Sequence, residues 1–118
     1  MMFAAHHKLD NLCVIVDNNG LQIDGKIDEV MSPYPIVEKL AAFGAFVQEI
    51  DGHDFEALEA AFTAARAQKG CPSAIVLRTV KGKGVDFMEG TCAWHGKAPK
   101  PQDAEKALAQ LQETLGDY

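Results

Sequence analysis

The 118-residue sequence lacks the features that mark several special classes of protein. It has only three cysteines, Cys13, Cys71 and Cys92, without metal-ligand spacing, which predicts reduced thiols in a cytoplasmic protein rather than a disulfide framework. No apolar run approaches the roughly 18 residues of a membrane-spanning helix. The 11 basic residues are scattered among 17 acidic ones, and the net charge of −6 argues against a nucleic-acid-binding surface. The length suits one domain with a modest core.

The chain is organised around a short apolar run that ends in a polar cluster. Leu12–Val16 is unbroken and rich in β-branched residues, a pattern typical of a strand buried on both faces of a parallel sheet, with Cys13 in the core. Residues 17–20, Asp-Asn-Asn-Gly, follow at once. Ligands of open α/β sheets bind beyond the carboxyl ends of strands, and Mg²⁺ prefers oxygen donors and phosphate, so this cluster has the chemistry of a metal–phosphate site.

The same cluster also carries a hairpin signal. Asn19-Gly20 is a favoured two-residue turn, and Leu21–Ile23 then becomes a strand returning along Leu12–Val16. The wider pattern favours a parallel sheet instead, because a helix and further buried strands follow with short connections. The sequence therefore predicts an α/β fold with a parallel sheet and flanking helices. Its predicted strands are Leu12–Val16, Ala45–Ile50 and Ala74–Val80, and its predicted helices between them are Ile36–Phe43 and Phe55–Gln68.

Local signals place the ends of these helices. Gly44 is positioned to stop the first helix, and Asp54 is a good N-cap for the second. The second helix is expected to turn four residues inward, namely Phe55, Leu58, Ala61 and Phe62.

The two ends of the chain also have helical patterns. Met1–Lys8 is typical of the last turns of a helix, and Asp103–Leu115 has leucines and alanines at helical spacing that predict a packed terminal helix. Between strand and terminal helix, Lys81–Gly84 predicts a glycine-hinged exit, with a phosphate-cradling loop as the weaker alternative. Glu89–Pro101 is a long irregular loop, and loops of that length are commonly functional or disordered. It holds the single tryptophan, Trp94, beside a histidine.

Four separate stretches, in order and over essentially the whole chain, resemble one enzyme family. They are Asp17–Leu21 with Ile23–Gly25, then Glu49–Asp54, Thr79–Gly84 and Trp94–Lys97. The family is transketolase, a thiamine diphosphate enzyme that moves two-carbon ketol units between sugar phosphates, and the chain is most similar to the N-terminal subunit of a split transketolase. The stretches at 51–54 and 94–97 resemble transketolase more than a deoxyxylulose-phosphate synthase or a dehydrogenase first component.

The resemblance implies roles for three residues. Asn19 would give its side-chain oxygen and Leu21 its backbone carbonyl to Mg²⁺, which suits the oxygen chemistry of that ion. His95 matches the family's loop histidine, which reaches the cofactor's diphosphate and the reacting centre, and it is the expected catalytic residue. An isolated Trp-His-Gly without the family match is more typical of a buried, hydrogen-bonded histidine.

The resemblance also implies what the chain lacks. The family's cofactor fingerprint begins with Gly-Asp-Gly, whose aspartate is a further metal ligand, and these 118 residues contain no such tripeptide. The family takes the glutamate that activates the aminopyrimidine from a second domain, usually of the other subunit. Residues 1–118 are therefore expected to be a partial thiamine diphosphate-binding domain, the diphosphate side, that binds thiamine diphosphate and Mg²⁺ weakly or not at all and does not catalyse alone.

Two interpretations stay open. The chain is either a truncated part of a transketolase enzyme, or a non-catalytic truncated α/β module that acts through self-association or through another subunit. A truncated sheet exposes a strand edge, and unpaired edges pair with other chains. We therefore expect a homodimer or larger homo-oligomer, or a complex with a transketolase C-terminal subunit, and sugar phosphates as substrates of the complete enzyme.

Overall fold

Three parallel strands form the sheet on which the remaining elements pack. The computed structural model describes residues 1–111. In chain order the elements are α1 Met2–His6, β1 Cys13–Asn18, β2 Leu21–Gln22, β3 Gly25–Lys26, α2 Ile27–Val30, α3 Ile36–Ala42, β4 Phe46–Asp51, α4 Phe55–Ala67, β5 Ser73–Arg78, a 3₁₀ turn at Cys92–Trp94, and α5 Pro101–Gln110.

The predicted three-stranded parallel sheet is confirmed. Its order is β1-β5-β4, so the last strand of the chain lies between the other two. The register places Ile15 beside Ile75, and Ile75 beside Gln48. The strands begin and end within two residues of their predicted bounds, because the apolar runs that define them are local features of the sequence.

Helices α3 and α4 cover opposite faces of this sheet. Val16 lines a cleft with Ile36 and Leu40 of α3, which places Val16 on the α3 face. On the other face, the Gln48 side chain donates a hydrogen bond to the Ala61 carbonyl of α4 at 3.0 Å. Helices on both faces are the usual arrangement around a parallel sheet.

Strand β1 is less buried than its sequence predicts. Val14 and Val16 are half-buried, but Cys13 is exposed and the side chain of Ile15 is 51% exposed. The prediction of a strand buried on both faces is therefore wrong for β1, and Cys13 does not lie in the core. The physical reason is that β1 lies at the edge of the sheet and has a strand neighbour, β5, on one side only. In addition, α4 leaves part of the sheet face that carries Ile15 uncovered.

The predicted helix signals are largely confirmed. Asp54 caps α4, since its Oδ1 accepts hydrogen bonds from the backbone N–H groups of Glu56 at 2.9 Å and Ala57 at 3.2 Å. Gly44 follows α3 with φ of +84°, a left-handed conformation that favours glycine.

The inward face predicted for α4 is partly wrong. Ala61 is only 2% exposed, whereas Phe55 is 85% exposed and Phe62 is also exposed. The buried residues of α4 are Ala61 and Ala65, both in its second half. The helix therefore contacts the sheet through these small side chains, and its first turn stands away from the core.

The segment after β1 forms a small hairpin of its own. Leu21 pairs with Lys26 and Gln22 with Gly25, antiparallel, so Leu21–Ile23 does not return along β1. The hairpin alternative at Asn19-Gly20 is thus wrong in its pairing. The Ile27 N–H donates to the Gly20 carbonyl at 2.9 Å, which closes the hairpin onto the end of β1.

The C-terminal helix is peripheral, whereas α1 buries Ala4 in the core. In α5, the Asp103 carboxylate accepts from the Lys100 N–H at 3.3 Å, and the helix begins at Pro101, two residues earlier than predicted. Leu108, expected to pack, is 70% exposed. Leu115, the last residue of the predicted helix, lies outside the described residues. Within residues 1–111 no helix is long and apolar enough to span a membrane.

Candidate functional site

The three residues singled out in the sequence line one cavity. Asn19, Leu21 and His95 surround an open cavity of about 420 Å³ near the carboxyl end of β1. Five further residues complete its wall, namely Gln22, Ile23, Asp24, Val30 and Lys81. The fold therefore brings together the polar loop after β1, the β2–β3 hairpin and the long loop after β5, which are far apart in the sequence.

Asn19 and Leu21 belong to one tight turn. Asn19 Oδ1 accepts a hydrogen bond from the Leu21 N–H at 3.0 Å, and this partly buried contact is an Asx turn. Gly20, between them, has φ of +73°, a conformation that glycine adopts without a steric penalty. The carboxamide and the Leu21 peptide are thus held side by side before any ligand arrives.

The two residues before this turn have other partners. The Asp17 carboxylate accepts a hydrogen bond from the Thr79 hydroxyl, next to the end of β5. Asn18 Oδ1 accepts from the Tyr34 hydroxyl at 2.9 Å. Neither residue lines the cavity, so of the polar cluster after β1 Asn19 alone contributes a side chain to it.

The loop exit from β5 is fixed by the β4–α4 connection. His53 Nε2 accepts a hydrogen bond from the Val80 N–H at 2.8 Å, and the Gly52 N–H donates to the Arg78 carbonyl at 2.8 Å. A Cβ at Gly52 would lie 2.5 Å from Thr79 Cγ2, so only glycine allows this close approach. These contacts place Lys81, the next residue but one after Thr79, at the cavity wall.

His95 directly follows a short 3₁₀ turn in the long loop after β5. Its N–H donates to the Cys92 carbonyl at 2.9 Å, which closes the 3₁₀ turn at Cys92–Trp94. Trp94 packs beside Phe87 with ring centroids 5.5 Å apart. His95 itself is exposed, so it is not the buried histidine that an isolated Trp-His-Gly favours.

Sequence reasoning missed most of the cavity wall. Gln22, Ile23, Asp24 and Val30 reach the cavity because the segment folds into β2, β3 and α2. The sequence offers Leu21–Ile23 only as a strand returning along Leu12–Val16, and it has no strong β pattern in Lys26–Met31. Lys81 was visible in the Lys-Gly-Lys-Gly stretch but was interpreted only as a hinge or a phosphate loop. Its ammonium group adds a positive charge to the wall, opposite in sign to that of the Asp24 carboxylate.

The donor set suits a hard cation only in part. A carboxamide oxygen and a backbone carbonyl are ligands that Mg²⁺ accepts. Among residues 1–111, no group of three or more His, Cys, Asp or Glu side chains is arranged to hold a metal ion. The residues present therefore fit an ion that is also held by phosphate oxygens, and do not form a dedicated metal cage.

Comparisons with known proteins identify the family. Residues 1–116 match the family model described as transketolase, thiamine diphosphate binding domain. The chain is 40% identical, over 111 residues, to a 6-deoxy-6-sulfo-D-fructose transketolase subunit of Clostridium sp. (strain MSTE9), covering 94% of this chain and 40% of that protein. It is 36% identical, over 114 residues, to one of the subunits of apulose-4-phosphate transketolase from Phocaeicola vulgatus, covering 97% and 41%.

Solved structures similar to this fold are also transketolases. The fold superposes on transketolase from Campylobacter jejuni with a TM-score of 0.83 and 31% identity, covering 92% of this chain and 17% of that one. The chain thus spans about two fifths of the length of the two subunits and a smaller share of the Campylobacter enzyme. The chain belongs to the transketolase family and matches that family's thiamine diphosphate-binding domain.

Proposed function

We propose that residues 1–118 form the diphosphate side of a thiamine diphosphate site in a transketolase-type enzyme. Asn19 Oδ1 and the Leu21 carbonyl hold Mg²⁺, and His95 contacts the diphosphate and the reacting centre. The observation that carries the proposal is the cavity itself, since these three residues line one space although the last is far from the others in sequence. Thiamine diphosphate supplies the carbanion chemistry when bound, and the protein positions it.

The geometry of the Asx turn supports the metal role. A carboxamide oxygen has two lone pairs, and the hydrogen bond from the Leu21 N–H occupies one of them. The second remains for a cation, and the same hydrogen bond fixes the Gly20–Leu21 peptide, which directly precedes the Leu21 carbonyl. Lys81 on the cavity wall supplies a positive charge that complements a diphosphate.

This chain alone is proposed to be an incomplete site. Its two metal ligands are neutral, whereas Mg²⁺ in phosphate sites is held by at least one carboxylate besides the phosphates. The family's Gly-Asp-Gly carboxylate is not among these residues, nor is a second domain that covers the pyrimidine. Each missing contact costs on the order of 1–3 kcal/mol, so two of them weaken binding by roughly one to four orders of magnitude.

Titration calorimetry with thiamine diphosphate and Mg²⁺ tests this proposal. The 118-residue chain should give no saturable heat at micromolar concentration, and binding should emerge only at millimolar ligand. At that concentration Asn19→Ala should abolish it, while Asn11→Ala, at an exposed asparagine outside the cavity, should not. A submicromolar dissociation constant that Asn19→Ala abolishes would show that the site is complete without a further carboxylate.

The substrates and partners of a complete enzyme are also proposals. The relatives' names state that one acts on 6-deoxy-6-sulfo-D-fructose and another on apulose 4-phosphate, and both are called subunits. We propose a phosphorylated or similarly anionic sugar as the substrate class here, with catalysis only in a complex with a transketolase C-terminal subunit.

The second candidate function is a non-catalytic module that self-associates. The exposed edge of β1 and the 51% exposure of Ile15 favour it, since an unpaired strand edge binds another chain. Light scattering at micromolar concentration should report a dimer or larger assembly of this chain. A clean monomer would count against self-association and leave the cofactor role as the sole candidate.

A further inference from the structure

The single tryptophan, Trp94, makes three side-chain contacts within the long loop after β5, and it directly precedes His95. We propose that Trp94 is a positioning residue, which fixes the direction in which the His95 ring enters the cavity. This inference rests on the proposed role of His95. It adds that the loop is set in place before a ligand binds, by contacts of the indole ring with Phe87 and Lys97.

The first contact is a directed hydrogen bond. The indole Nε1–H of Trp94 donates to the Phe87 backbone carbonyl at 2.9 Å, in a partly buried position. The Phe87 ring lies 5.5 Å from the indole centroid, tilted by 59°. A tilted aromatic pair together with a hydrogen bond fixes both the position and the rotation of the indole.

The second contact is a cation on the ring. Lys97 Nζ lies 4.4 Å from the Trp94 ring centroid, within the range of a cation–π interaction. Because Trp94 and Lys97 stand on either side of His95 in the sequence, the contact closes the loop around the histidine.

The backbone links this ring to His95. The Thr91 hydroxyl accepts from the Ala93 N–H at 3.2 Å at the start of the 3₁₀ turn, and the His95 N–H donates to the Cys92 carbonyl at its end. The position of the indole is therefore transmitted over a single rigid turn to the next residue. The direction of the His95 backbone limits the positions that its exposed ring can take.

The acceptor of the indole hydrogen bond is itself fixed. Beside Phe87, the Asp86 N–H donates to Gln110 Oε1, and Gln110 Nε2 donates to Asp86 Oδ1, each at 2.8 Å. Gly82 packs so closely on Met88 that a Cβ would lie 2.6 Å from the Met88 carbonyl oxygen. Residues 82–88 are thus held by several contacts, and the Trp94 indole attaches the following segment, which carries His95, to them.

NMR of the 118-residue chain tests the proposal through the histidine ring signals. Trp94→Phe keeps an aromatic ring but removes the N–H donor, and should shift the His95 ring resonances toward those of a free peptide histidine. The His53 resonances should stay in place, because the partner of its ring is the Val80 N–H and none of residues 91–97. Lys97→Met removes the cation and should cause a smaller shift in the same direction.

Two results obtained without a ligand would overturn the positioning role. One is a folded Trp94→Phe variant whose His95 resonances do not move. If that variant does not fold, the wild-type chain decides instead, since a hydrogen-bonded indole N–H should exchange with solvent more slowly than that of a free tryptophan. Exchange at the free rate would contradict the proposal.

Titration with Mg²⁺ and inorganic pyrophosphate separates this inference from the proposed function. Pyrophosphate should shift the His95 signals of the wild-type chain, and Trp94→Phe should weaken binding about two- to tenfold, the effect of one hydrogen bond. No shift in the wild-type chain would contradict the diphosphate site, while the unliganded spectra would still decide on Trp94. Equal affinity of the two proteins would overturn the positioning role.

Discussion

Ile15 and Ile75 are the same residue at the same level of the same sheet, yet they have opposite environments. They are register partners in the parallel pair of β1 and β5, and so lie on the same face. Ile75 is 0% exposed and Ile15 is 51% exposed. The difference lies in the neighbours, because β5 has a strand on each side whereas β1 is an edge strand.

The comparison shows that an apolar run predicts a strand whose side chains can be buried. Whether they are buried depends on the neighbours of that strand in the folded chain. In β5 the first four of the six residues are buried. β1 differs: a cleft of about 380 Å³ with a mixed apolar and charged lining lies at its start, and a largely apolar cleft of about 320 Å³ lies at its end. Strands of parallel sheets are typically covered on both faces. Within residues 1–111, β1 is therefore the sheet edge that leaves apolar surface exposed.

The largest expected difference between the two isoleucines is in stability. Ile75→Ala should lower the free energy of unfolding by about 2–5 kcal/mol, because it leaves a cavity in the core. Ile15→Ala should lower it by about 1 kcal/mol or less, since half of its surface already contacts water. Urea denaturation at low protein concentration, where the chain is least associated, measures both values.

Equal losses for the two variants would break the comparison. They would mean that Ile15 is covered in solution even in dilute protein, and hence that the edge of β1 is permanently occupied.

A smaller effect is expected on self-association. Ile15→Lys places a charge on the exposed edge strand, a common device against edge pairing, and should weaken self-association by more than about tenfold. Phe55→Lys is the matched control, since Phe55 is 85% exposed on α4, away from β1. Sedimentation velocity over a range of concentrations measures the dissociation constants.

The control decides which surface is involved. If Phe55→Lys dissociates the assembly and Ile15→Lys does not, the contact surface includes α4 and the edge of β1 is not the interface.

Local elements of the fold were predictable from the sequence. The strand runs, the Asp54 cap and the stop at Gly44 each depend on a few neighbouring residues, and the structure confirms them. The place of β1 in the sheet depends on residues 60 positions apart, as in the pairing of Ile15 with Ile75. The spacing of apolar residues along the sequence does not show which strands pair, so it could not predict that β1 is exposed at the sheet edge.

The candidate site was predictable through its motifs rather than through its shape. Asn19, Leu21 and His95 came from the family resemblance, and the fold brings them to one cavity. Lys81 and the hairpin residues reach the same cavity through contacts across the fold, such as the hydrogen bond from Val80 to His53. The roles of Asn19, Leu21 and His95 in binding the cofactor and its metal ion stay a prediction.

The most direct test of the proposed site uses Mn²⁺, which accepts the same oxygen ligands as Mg²⁺ and broadens the NMR signals of nearby nuclei. With millimolar thiamine diphosphate present, low Mn²⁺ should first broaden the backbone signals of Asn19 and Leu21 and the ring signals of His95. Asn19→Ala should remove this selectivity. Broadening centred on the exposed carboxylates of α4, Glu56 and Glu59, with the cavity signals still sharp, would contradict the proposed metal site.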